Sequence, residues 1–183
     1  LTVIVTEEGT GNLISNAQIK LVYPLIEHLG ITNGIGEEDF VLFYQQNYRV
    51  HVGKWGYRSI CFDTVIDQNT GVLAIELPIG YYDDFEFDFG WGINSTASTG
   101  LWERGVPKPT DSGSAVPFDA EFDCGSLAFV TGNDPNLHPD FDDVDEGNTI
   151  LTSPPMDLTS YTNPYFNYSR GFYCYYGPYL VDD

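Results

Sequence analysis

Apolar residues recur at every second position over short runs, and each run ends at a turn-forming residue. The runs at Tyr48 to Val52, Ser59 to Val65 and Val72 to Leu77 keep this spacing. A strand turns successive side chains to opposite faces, so this period buries one face and wets the other. Nineteen glycines and eleven prolines are spread along the chain rather than clustered, which sets many turns between short strands. The fold class read from this pattern is all-β.

The 183 residues fit one large or two small domains, and 42% hydrophobic content is enough for a real core. Charge narrows the partners. Twenty-seven acids face seven Lys plus Arg, for a formal net charge of −20. Such a surface repels phosphate backbones and anionic lipid, so the reading has no nucleic acid and no membrane insertion. No apolar run approaches the roughly 20 residues that span a bilayer. The acidity itself has two readings, a well-hydrated exterior or clustered oxygen ligands for a divalent cation. The chain starts at once with the strand-like LTVIV, which reads as the processed N-terminus of a secreted protein.

Residues 1–80 read as one small sandwich. Strands are expected at Thr2 to Thr6, Ala17 to Tyr23, Tyr48 to Val52, Ser59 to Val65 and Val72 to Leu77. Gly9 to Asn12, Gly53 to Gly56 and Gln68 to Gly71 carry turn chemistry between them. PLIEHLG, at Pro24 to Gly30, is expected as a loop excursion. The stretches VTEEGTGNLISNAQIKL (Val5 to Leu21) and YRVHVGKWGYRS (Tyr48 to Ser59) resemble the carboxypeptidase regulatory-like domain, a transthyretin-like β-sandwich. That resemblance implies no catalytic residues, and it gives Lys54 and Tyr57 a packing role around a hairpin.

From Tyr81 the texture changes to long Gly/Ser/Thr/Asp loops between short aromatic strands. Trp91, Trp102, Phe118, Phe122 and Phe129 are the expected core of a second sandwich over 81–183. GYYDDFEFDFGWGINSTASTGLW, DDVDEGNTILTSPPMDL and SPPMDLTSYTNPYFNYSRGFYCYY resemble a MAM-like jelly-roll module of secreted Bacteroidota proteins. Relatives of that module imply further strands beyond GPYLVDD, so the roll is expected to be incomplete at its C-terminus. The missing strands would come from a cleaved fragment, from a neighbouring copy, or not at all in a shorter roll. The N-terminal strand, with Leu1, Val3 and Val5, is a candidate donor to another copy; its other reading is strand A of its own sandwich.

Calcium is the expected cofactor. Glu86 and Asp88 share one face of an alternating strand, and Asp142, Asp143 and Asp145 crowd one loop. Hard cations take six to eight oxygens from such carboxylates and nearby carbonyls. The EF-hand spacing is not met, and the MAM-like resemblance implies calcium between a first-strand acid and such a loop. The alternative is a solvated acidic loop. Cys124 and Cys174, both in the second half, are the expected disulfide, with Cys61 in ICFDTV a buried thiol. Asn94 and Asn167 head N-x-[ST] sequons, and Asp63-Thr64-Val65 resembles the O-glycosylation acceptor of Bacteroidota, which marks Thr64.

Enzyme signatures are poor. His28, His51 and His138 lie far apart, and Ser114 and Ser126 lack the G-x-S-x-G elbow. The tyrosines at 161, 165, 168, 173, 175, 176 and 179 could stack on glycans or fill an interior. The sequence thus points to a non-enzymatic extracellular or cell-surface structural protein, a subunit of a homopolymeric fibre or surface assembly held by strand complementation. The alternative is a calcium- or carbohydrate-binding accessory region of a larger secreted peptidase.

Overall fold

The computed structural model describes residues 1–108, 118–134 and 142–171. It is all-β, with eleven strands and no helix among the described residues. The chain forms two compact units, Leu1–Asp83 and Asp84–Asp183.

The first unit packs two sheets. Strands β1 (Thr2–Glu7), β4 (Glu37–Asp39) and β7 (Val72–Leu77) form one, in the order β4-β1-β7. Strands β2 (Gln18–Tyr23), β3 (Ile26–Ile31), β5 (Gln46–Gly53) and β6 (Ile60–Ile66) form the other, in the order β3-β2-β5-β6. Val3, Val5, Leu21, Tyr48, Val50, Val52 and Leu77 are fully buried in the core.

One expectation changes here. PLIEHLG is not a loop excursion: β3 pairs with β2 from Gln18↔Ile31 to Tyr23↔Ile26. Pairing along the whole of β2 overrides the local breaker signals of Pro24 and Gly30. Strand β1, the candidate donor, takes its other reading as a strand of its own sandwich: it is the central strand of its sheet, parallel to β7 and antiparallel to β4. With Val3 and Val5 at 0% exposure and the Leu1 amino group on Phe40 O at 3.1 Å, the Leu1, Val3 and Val5 stretch is already committed to this unit's core.

Side-chain anchoring follows the same logic. Lys54 Nζ donates to Ser15 O at 2.7 Å and lies over the Tyr57 ring, whose hydroxyl donates to Glu7 Oε2 at 3.1 Å. Asp67 caps the β6–β7 turn by accepting the Asn69 and Thr70 N–H groups at 2.8 and 2.9 Å.

Cys61 and Cys124 are both disulfide-bonded. Cys61 is therefore not the buried free thiol expected, and Cys174, the expected partner of Cys124, lies outside the described residues. The alternation of β6 explains the first point. Ile66 faces the core on that strand, while Cys61 shares the opposite side with the exposed Asp63 and Val65.

The second unit carries two antiparallel ribbons among its described residues. Strand β8 (Gly92–Ser95) pairs with β11 (Thr149–Thr152), and β9 (Trp102–Gly105) pairs with β10 (Ala128–Thr131). Trp102 Nε1 donates to Thr149 O at 3.2 Å and links the ribbons. Of the five expected core aromatics, Phe118 and Phe122 are 62% and 95% exposed. Trp91 and Phe129 pack together with Phe85, and Phe87, which is buried, packs on Phe89.

Candidate metal centre

Asp84-Phe85-Glu86-Phe87-Asp88 is not the alternating strand that its sequence suggests. Phe85 adopts φ 60°, a left-handed conformation that costs a bulky L-residue roughly 1–2 kcal/mol. Its ring is held edge-on by Trp91 and Phe129, with centroids at 5.5 and 5.2 Å. Arg104 Nη1 donates to its carbonyl at 2.8 Å. Asp84 and Glu86 are both buried, at 5% and 7% exposure, and the period of two breaks after them, where Phe87 is also buried and Asp88 is exposed. Asp88 is exposed and turns back to accept the Gly90 N–H at 2.9 Å. The expected pairing of Glu86 with Asp88 on one strand face is replaced by Asp84 with Glu86.

A second loop brings two more carboxylates. Glu86 Oε1 accepts the Ser126 N–H at 2.7 Å and the Ser126 hydroxyl at 3.3 Å. Between them sits Gly125, where a Cβ would lie 2.9 Å from Asp84 O and 3.0 Å from Glu86 Cγ. This close approach carries Asp119 and Asp123 to the same place. Burial, then the charge of Asp119, then those of Asp84 and Glu86, push the Asp123 carboxyl up to about 6. Burial chiefly, with help from Asp84 and Glu86, also raises Asp119. Asp119 Oδ1 accepts the Ala120 N–H at 2.8 Å, while its Oδ2 is buried with no hydrogen-bond partner among the described residues.

Four carboxylates thus repel one another in a poorly solvated place, a charge distribution that a hard cation would neutralise. The donor set is oxygen only, which suits calcium or magnesium and not the softer transition metals. Among the described residues, no three His, Cys, Asp or Glu side chains are already arranged to hold a metal ion. Closing the four acids on a cation would therefore require side-chain adjustment.

The other expected ligands are engaged differently. Asp142 Oδ2 accepts the Asp134 N–H at 2.9 Å, and Asp142 lines a cleft of about 350 Å³ with Leu101, Glu103, Lys108 and Asn133. Asp143 and Asp145 are exposed and use their backbone carbonyls. Asp143 O accepts the Thr99 hydroxyl at 2.7 Å, and Asp145 O accepts the Ser98 N–H at 2.9 Å. The carboxylates that act on Asp123 are Asp119, Asp84 and Glu86. Of the five expected metal residues, only Glu86 belongs to that group. Asp84, Asp119 and Asp123 were missed, although D-F-E at 84–86 and D-A-E-F-D-C-G-S at 119–126 carry the signal.

Asn94 is exposed on β8 and Asn167 is exposed in the 153–171 segment. Thr64 is half-buried on β6, opposite Tyr48, and its neighbour Asp63 makes a two-point ion pair with Arg49 at 2.9 and 3.0 Å. Tyr161, Tyr165 and Tyr168 are exposed, and the tyrosines from 173 onward lie outside the described residues.

No protein-family model matches this chain, and no curated protein matches it.

Proposed function

We propose that this chain is a non-catalytic, extracellular β module whose second unit is fastened by a calcium ion at Asp84, Glu86, Asp119 and Asp123, and which serves a structural or adhesive role in a larger secreted assembly. The observation that carries this reading is the convergence of the four acids, two of them buried, with the Asp123 carboxyl raised to about 6. Mutual repulsion of this kind is costly to fold around, and a bound divalent cation would reduce the cost. The disulfide state of Cys61 and Cys124 is compatible with an oxidising, extracellular setting. The test is thermal unfolding in a chelator, in calcium and in magnesium. A rise in midpoint with calcium, larger than with magnesium, supports the reading; identical midpoints in all three would remove it.

A second reading, self-assembly between copies, is favoured by the open strand edges of the first unit. With β1 inside its own sheet, assembly would proceed by adding strands at an edge and not by donating the N-terminus.

A further inference from the structure

We infer that the outer edge of β3 pairs with the same edge of a second copy, antiparallel and centred on Leu29; this rests on the self-assembly reading above. β3 ends the four-stranded sheet. The Thr32 N–H donates to Ala17 O at 2.9 Å and Thr32 O accepts the Asn16 N–H at 2.9 Å, so the backbone groups of Thr32 face β2. Backbone direction alternates along a strand, which turns the N–H and C=O of Ile31, Leu29 and Glu27 away from β2. The side chains of these residues are also exposed, Leu29 by 70% and Ile31 by 56%.

Edges are usually blunted by charge, proline or brevity. β4 is three residues long and all of them are acidic. β6 places Asp63 at the middle of its outward side, so self-pairing there would set carboxylate against carboxylate. β7 exposes Val72, Ala74 and Glu76, a smaller apolar stripe. β3 is six residues long without proline, and its one charge, Glu27, is paired with Lys20 at 2.7 Å.

Its register is also self-complementary. With Leu29 opposite Leu29 of the partner subunit, Glu27 faces Ile31 of the partner subunit and Ile31 faces Glu27 of the partner subunit. Every residue in these pairs has outward backbone groups, so each pair exchanges two hydrogen bonds. No like charges meet, and Glu27 is already balanced by Lys20 Nζ at 2.7 Å. The contact is small and each copy carries a net charge of −20, so the dimer forms at high concentration and strengthens as salt screens the repulsion.

Sedimentation velocity on the full chain, over a wide concentration range at low and high salt, tests this against Leu29→Pro and Leu29→Lys. Proline removes an outward N–H and no bond to β2, and prolines are tolerated on edge strands. Lysine keeps the strand and sets two cations face to face. The expected result is a salt-strengthened dimer, weakened about tenfold or more by either substitution. A dimer untouched by both variants overturns the β3 assignment while leaving self-assembly standing. A monomer under every condition overturns both.

Discussion

Glu86 reaches across 40 residues of chain to accept the Ser126 N–H at 2.7 Å, and through this bond the Asp119–Asp123 loop is held against Asp84 and Glu86. The buried carboxylate thus has two opposing effects. As an acceptor it fastens the loop; as a charge it adds to the repulsion among four acids. Substitution separates them. Glu86→Gln keeps an acceptor and removes the charge, so without calcium it should match or exceed the wild type in melting temperature while losing most of the calcium-induced rise. Glu86→Ala leaves the Ser126 donor unsatisfied and should cost about 1–3 kcal/mol. Chemical denaturation in chelator and in calcium reads both.

The pH dependence has a defined sign. The Asp123 carboxyl is raised from 3.8 to about 6, so the folded chain holds that proton more tightly than the unfolded chain. Stability without divalent cations should be greatest below the ordinary value and decline as pH climbs towards about 6. Calcium affinity should rise through the same window, because the ligand must lose its proton. Melting temperatures from acid to neutral pH, with and without calcium, should diverge in this way; parallel curves would contradict it.

Gly125 has no room for a side chain. A methyl group there would press on Asp84 O, a backbone atom that cannot swing aside. Gly125→Ala should destabilise the second unit by about 1–3 kcal/mol and weaken calcium binding, as read by denaturation and by calcium titration.

Phe85 offers a test of backbone strain. Replacing it removes the ring contacts to Trp91 and Phe129 in any case. At φ 60°, however, glycine is unstrained and alanine is not. Phe85→Gly should therefore be more stable than Phe85→Ala by about 1 kcal/mol, reversing the usual order of the two residues in an extended segment.

The first unit was largely legible in its sequence because its strands have one wet and one buried face. The alternating runs at Tyr48 to Val52, Ser59 to Val65 and Val72 to Leu77 read as strands, and β5, β6 and β7 stand there. β3 was hidden because its outward residues Leu29 and Ile31 are apolar, so the alternation that marks a half-buried strand is absent. In the second unit the alternation of acids and aromatics from Asp84 to Phe89 looked like a strand. The left-handed turn at Phe85 has no sequence mark, since neither glycine nor asparagine stands there. Asp119 and Asp123 join Glu86 through a tertiary contact at Ser126, which no local spacing announces.

Isothermal titration of calcium into the chelator-treated chain, beside Asp119→Asn and Glu86→Gln, tests the central claim most directly. The account predicts saturable binding at one site, several-fold weaker or lost in either variant while both remain folded. Absence of binding in the wild type, or binding indifferent to both substitutions, would contradict it.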